Sequence, residues 1–255
     1  GTIIIKKVVA GQGSNAADQF LADVNNEGGS AGDASNLPFS QNAPKTHNVS
    51  GHGSGDDFVV KEVPPGNSYE VVGSWAGSGN AACPAVGSNS WDKSTGRDDR
   101  KDQQTLDNLG NNTKTVCFLN VKVTAKTCID LGLTLVEKWK WNNNAYSLDD
   151  DGPVANPHIR ITNGTANGGN WSSPVPIGAV IVKGGSGPVA YKLFPFPTQY
   201  PADTYSGSFD NTGLINWGGN TPAVSHVEFC SGTSTPKGTI MVGKVKDLSA
   251  GVPAA

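Results

Sequence analysis

Gly1-Thr2-Ile3-Ile4-Ile5-Lys6-Lys7-Val8-Val9 opens the chain as a run rich in β-branched residues, the side chains that favour extended backbone. Strand side chains alternate between the two faces of a sheet, so Ile3, Ile5, Lys7 and Val9 share one face. Lys7 therefore points where the isoleucines point. Two later runs repeat the arrangement. Phe58-Val59-Val60-Lys61-Glu62-Val63 groups Phe58, Val60 and Glu62, and Thr115-Val116-Cys117-Phe118-Leu119-Asn120 groups Val116, Phe118 and Asn120. Three apolar strand faces thus each carry one polar residue: an amine, a carboxylic acid and a carboxamide.

Around these runs the chain is turn-rich. With 33 Gly and 16 Pro in 255 residues and 16% charged residues, it describes many short strands joined by turns. The expected fold is all-β: two β-sandwich domains in series, over 1–124 and 125–237, followed by an orphan strand in 238–255. Helical periodicity is scarce, and Asp18 to Val24 and Asp102 to Leu109 are each expected to make one helical turn. The last segment restates the first. Gly238-Thr239-Ile240-Met241-Val242-Gly243-Lys244-Val245 places Lys244 at the offset of Lys7, which reads as the start of a further unit in a concatenated protein. The alternative is two edge strands that share a Gly-Thr plus β-branched beginning.

A net charge of -3 leaves no basic field for nucleic acid. No apolar run approaches the roughly 20 residues that a membrane-spanning helix needs. The only methionine, Met241, is internal, so a processed chain is expected. Four cysteines, Cys83, Cys117, Cys128 and Cys230, permit three disulfide connectivities. Two precede the 121–126 stretch and two follow it, and one bridge within each half is the expectation. Zinc is the rival, weakened by the lack of a Cys-x-x-Cys pair and by scattered histidines at 47, 52, 158 and 226.

A charged lysine on a buried face is so costly that it either loses its proton or pairs. Desolvation lowers the pKa of a buried amine and raises that of a buried acid, leaving a nucleophilic Lys7 beside a Glu62 able to polarise the Asn120 carboxamide. The chemistry expected is an intramolecular isopeptide bond between Lys7 and Asn120, with loss of ammonia. The alternative is that Lys7 snorkels to water and Glu62 is an ordinary edge residue.

The order of these segments resembles a known family. Gly-Thr-Ile-Ile-Ile-Lys-Lys-Val, then Phe-Val-Val-Lys-Glu-Val-Pro-Pro-Gly-Asn-Ser-Tyr-Glu-Val, then Thr-Val-Cys-Phe-Leu-Asn is similar to the prealbumin-like, Cna-B or SpaA-type domains of bacterial surface proteins and pilins, over about residues 1–124. The resemblance implies a reactive lysine on the opening strand (Lys7), an acid before a Pro-Gly-x-Tyr turn (Glu62) and an asparagine closing the last strand (Asn120). Lys6, adjacent to Lys7, is the competing amine. The stretch 82–107 departs from the short loops of the family, and its Cys83 is placed to pin it to Cys117.

The second half begins with Thr127 to Trp139, and its close, Asn211-Thr212-Gly213-Leu214-Ile215-Asn216 and Ser225-His226-Val227-Glu228-Phe229-Cys230, is similar to a segment found beside such modules in predicted bacterial surface proteins. Trp139, Trp141, Trp171 and Trp217 are candidates for a sugar-stacking platform or for core packing. Asp149-Asp150-Asp151-Gly152 reads as a polar turn or a partial calcium site, lacking the full loop pattern. Asn48, Asn111, Asn163 and Asn170 satisfy the glycosylation triplet, which arises freely in such a composition. Ser225 and His226, adjacent on a strand, should face opposite ways and form no relay. No turnover enzyme, cofactor or metal site is therefore expected.

The leading expectation is a structural subunit or stalk of an extracellular, cell-surface fibre that self-associates or continues into further repeats. Gly238, Thr239, Ile240 and Lys244 would begin a following domain or donate a strand to a neighbour. An adhesin that binds a glycan or host protein is the alternative.

Overall fold

The computed structural model describes residues 1–65, 68–94, 100–149, 159–196 and 204–231. The repeat strand at 238–255, residues 66 and 67 of the Pro-Gly-Asn-Ser-Tyr turn, and 150–152 of the acidic run lie outside them. Strand makes up 50% of the structure and helix 1%, so the all-β expectation holds. Neither expected helical turn forms. Phe20–Asn26 is strand β2, with Phe20, Ala22, Val24 and Asn26 buried in strict alternation, and Gln103–Leu106 is strand β7. In β2 a two-residue apolar period that buries one sheet face overrides the weak helical propensity. Among the described residues the helical turn is instead the short 3-10 turn Ile129–Leu131, closed by Gly132 in the left-handed region at φ 70°.

The first half packs two four-stranded sheets face to face. One has the order β4(Lys45–Asn48), β1(Thr2–Ala10), β8(Thr113–Lys122), β6(Tyr69–Ser78). The other has the order β3(Ala34–Phe39), β2, β5(Phe58–Glu62), β7. Ile3, Ile5, Val116 and Phe118 from the first meet Phe20, Val24, Phe58 and Val60 from the second in one buried cluster. β1 and β8, the first and last strands of this half, run parallel, with Lys7 opposite Phe118 and Val9 opposite Asn120. β8 is buried on both faces, without a break from Thr115 to Asn120. That is why its sequence reads as a continuous apolar run rather than an alternating one.

The second half holds a five-stranded sheet in the order β10(Ala145–Leu148), β9(Leu135–Asn142), β16(His226–Ser231), β13(Ile177–Lys183), β14(Tyr191–Pro195). A three-stranded sheet, β11(Arg160–Thr165), β12(Gly168–Ser172), β15(Ser206–Asp210), lies against it. Val180, Val182, Val227 and Phe229 of the larger sheet pack with Trp171 and Phe209 of the smaller. The outer face of the larger sheet carries Ala179 and Ile181, covered by Leu131, Leu133 and the buried Cys128–Cys230 pair.

Candidate functional site

The parallel register of β1 and β8 sets Lys7 and Asn120 two positions apart on one face, the face that looks onto the second sheet. Glu62 reaches the same point from the end of β5, where it pairs with Ala22 of β2. Lys7, Glu62 and Asn120 are 3%, 1% and 0% exposed. The Lys7 amine is in direct hydrogen-bonded contact with Glu62 Oε1. Asn120 Nδ2 donates to that same oxygen at 2.7 Å. One carboxyl oxygen thus gathers the amine and the carboxamide.

Aromatic rings wall the trio. The Phe20 centroid is 4.1 Å from Lys7 Nζ, with Phe39 at 5.4 Å and Phe118 at 5.8 Å. Tyr69 packs edge-on against Phe20 at 5.2 Å and donates its hydroxyl to Asp18 at 2.7 Å, which holds the wall in place. Alternation marked Phe118 as a core residue from the start. The role of Phe20 and Phe39 was missed, because the signal that could have found them, the alternation of β2 against the end of β3, appears only once those segments are read as strands.

Burial governs the electrostatics. Desolvation pulls the Lys7 amine down from 10.5 to about 8, against the opposing pull of the Glu62 charge and hydrogen bond. The same desolvation raises the Glu62 carboxyl, assisted by the Asp102 charge and opposed by Lys7 and by the bond from Asn120. Both groups are therefore moved toward their neutral forms, a free amine and a protonated acid. Glu62 Oε2 and Asn120 Oδ1 are buried without hydrogen-bond partners. Burying an ionised carboxyl costs more than burying a neutral one, and a proton on Glu62 removes that charge.

The competing amine takes another course. Lys6 leaves on the opposite face of β1, and its Nζ donates to Ala81 O at 2.6 Å. It has no contact with the acid or the carboxamide.

Of the remaining candidates, the cysteines form the bridges Cys83–Cys117 and Cys128–Cys230, with no free thiol, which removes the thiolates that zinc would need. Among the described residues no three His, Cys, Asp or Glu side chains are grouped to hold a metal ion. Trp139 and Trp217 pack against the apolar cluster that contains Trp171, so these three rings serve the core of the second half. Trp171 is 2% exposed between Phe196 and Phe229. Trp139 donates its indole N–H to Glu137 at 3.0 Å, Trp141 packs tilted against Tyr146 with centroids 4.8 Å apart, and Trp217 lies under Lys93 at 4.5 Å. A buried ring cannot stack a sugar, so Trp171 is a packing residue.

One expectation is corrected. Ser225 precedes β16 rather than lying within it, and its Oγ comes within 3.2 Å of His226 Nδ1. The hydroxyl also has acceptors in Gly184 O at 2.9 Å and Lys183 O at 3.2 Å, so backbone carbonyls compete with the imidazole for its single proton. Sequence reading also missed Glu137, 2% exposed, which accepts from Trp139 and from the Ile159 N–H at 2.8 Å. Its alternation with Trp139 and Trp141 was the available signal. No protein-family model and no curated protein matches this chain.

Proposed function

We propose that this chain is a structural subunit or stalk region of an extracellular bacterial surface fibre, in which an autocatalytic isopeptide bond joins Lys7 to Asn120. The observation that carries the reading is the buried Lys7–Glu62–Asn120 trio spanning the first and last strands of the first half. The neutral Lys7 amine attacks Asn120 Cγ while the protonated Glu62 polarises the carboxamide. A C–N bond forms, the Cγ–Nδ2 bond breaks, and the amine proton, relayed by Glu62, leaves with Nδ2 as ammonia. Glu62 is regenerated, and the event occurs once per chain.

The topology supports a load-bearing role. Parallel neighbours β1 and β8 place the start of one strand and the end of the other at opposite ends of the sandwich, so tension on the chain shears them. A tie between residues 7 and 120 removes the residues between them from the path of the force. Two disulfides are compatible with an oxidising, extracellular setting, and no described helix is long and apolar enough to cross a membrane. Residues 238–245, with Lys244 at the offset of Lys7, support self-association or continuation into a further unit. Immunogold labelling of intact cells of the source organism tests the fibre role. Labelled filaments are expected, and label confined to the medium or the cell interior would remove it.

A further inference from the structure

The two halves of the chain meet over more than the stretch that links them. Cys117 and Leu119, on the outward face of β8, share one buried apolar cluster with Val180 and Phe229 of the five-stranded sheet. Trp91, 2% exposed, joins the same cluster from the 79–94 segment. Three further contacts sit at this junction. The Gln12 side chain donates to Leu193 O at 2.9 Å and accepts from the Leu193 N–H at 3.0 Å, pairing with the edge of β14 as a strand would. Lys93 Nζ lies 4.5 Å over the Trp217 ring. Gly87, at φ +86°, approaches the 216–219 turn so closely that a Cβ there would lie 2.6 Å from Asn216 O and 2.8 Å from Gly219 Cα.

The 79–94 segment is fastened to the first half at both ends. Cys83 is bonded to Cys117, Ala81 O accepts from Lys6, and Asp92 exchanges both backbone hydrogen bonds with Ser74, at 3.0 and 2.8 Å. Between these anchors, Val86, Gly87 and Trp91 meet residues of the second half. The stretch joining the halves is exposed, with Val123 50% exposed and Lys126 at the surface, and is held by the Val123 N–H to Ser68 O at 2.9 Å and the Lys126 N–H to Asp130 Oδ2 at 2.8 Å. Interfaces between units of one chain ordinarily permit relative motion unless they are large and apolar.

We infer that the 79–94 segment is a brace that locks the two halves into one cooperative unit, with Cys83–Cys117 as its fastening. The trio of Lys7, Glu62 and Asn120 takes no part in it, so the brace stands or falls independently of the isopeptide bond.

The test is Gly87→Val in the full chain, with Gln12→Ala as a milder variant that leaves the apolar cluster intact. Melting is followed by calorimetry, and trypsin cleavage after Lys126 by mass. The unaltered chain is expected to melt in one transition. Gly87→Val is expected to melt in two and to be cut at least about tenfold faster, with its cross-link mass unchanged, and Gln12→Ala to be cut about twofold faster. Two separate transitions in the unaltered chain, or one transition and an unchanged cleavage rate in Gly87→Val, would overturn the brace. If Gly87→Val does not fold, Gln12→Ala decides: faster cleavage upholds the brace and an unchanged rate removes it.

Discussion

Glu62→Gln preserves the shape of the side chain at the centre of the trio and removes its ability to carry a proton. Without that proton the Asn120 carboxamide is not polarised and the amine is not relieved of its own, so the chain should fold without the Lys7–Asn120 bond. The bond closes a loop of roughly 110 residues, and loop closure on this scale stabilises by about 5 kcal/mol in the chain-entropy treatment. The variant also leaves the Lys7 amine without its acid partner among Phe20, Phe39 and Phe118, so the loss should be no smaller. Against a domain stability of about 5–15 kcal/mol this is a large fraction. Equilibrium unfolding in denaturant, with intact mass recorded on the same samples, measures both effects. The variant should lose about 5 kcal/mol and show no ammonia-sized deficit beyond its disulfides. A Glu62→Gln chain that carries the same deficit as the unaltered one would refute the role given to Glu62, and equal stabilities would refute the role given to the bond.

Asn120→Ala, which cannot form the bond, exposes the Lys7 titration. Its folded pKa of about 8 lies below the unfolded 10.5, so between those values the unfolded chain holds more protons and stability should rise with pH, by up to about 3 kcal/mol. In the cross-linked chain Nζ is an amide and the rise from this group should vanish, which pH-dependent denaturation of the two proteins compares directly. Replacing Cys128 and Cys230 together by Ala opens a link spanning 102 residues and should cost about 5 kcal/mol, read as a lower denaturation midpoint. Gly168→Ala should disrupt the pairing of β12 with β15, because a Cβ there would lie 2.2 Å from Phe209 O at φ +148°. A loss of more than about 1 kcal/mol in the same unfolding assay is the expected size.

Much of the first half was legible in the sequence because β1, β2 and β5 bury one face each. Alternation alone set Ile3, Ile5 and Lys7 together, and the same rule placed Glu62 and Asn120 inward. It could not show that the three faces converge, since that depends on the parallel pairing of β1 with β8 and on which sheet β5 joins. β8 and β13, buried on both faces, read only as apolar runs, so the layer that covers their second faces was not visible. The helical turns expected at 18–24 and 102–109 failed for a related reason. Short segments with mixed propensity take their conformation from the sheet that needs them, as Phe20, Ala22 and Val24 do. The cysteine positions suggested one bridge in each half, but nothing in the spacing revealed that the Cys83 segment would carry Trp91 into a cluster shared with the second half.

The central claim is that Lys7 and Asn120 become one covalent unit, and the mass of the intact, non-reduced chain addresses it most directly. The account predicts a deficit of about 17 Da beyond that of the two disulfides, the mass of one ammonia, with Lys7 and Asn120 in a single branched peptide after reduction and digestion. A chain whose mass is explained by its disulfides alone, with Lys7 and Asn120 in separate linear peptides, would contradict it.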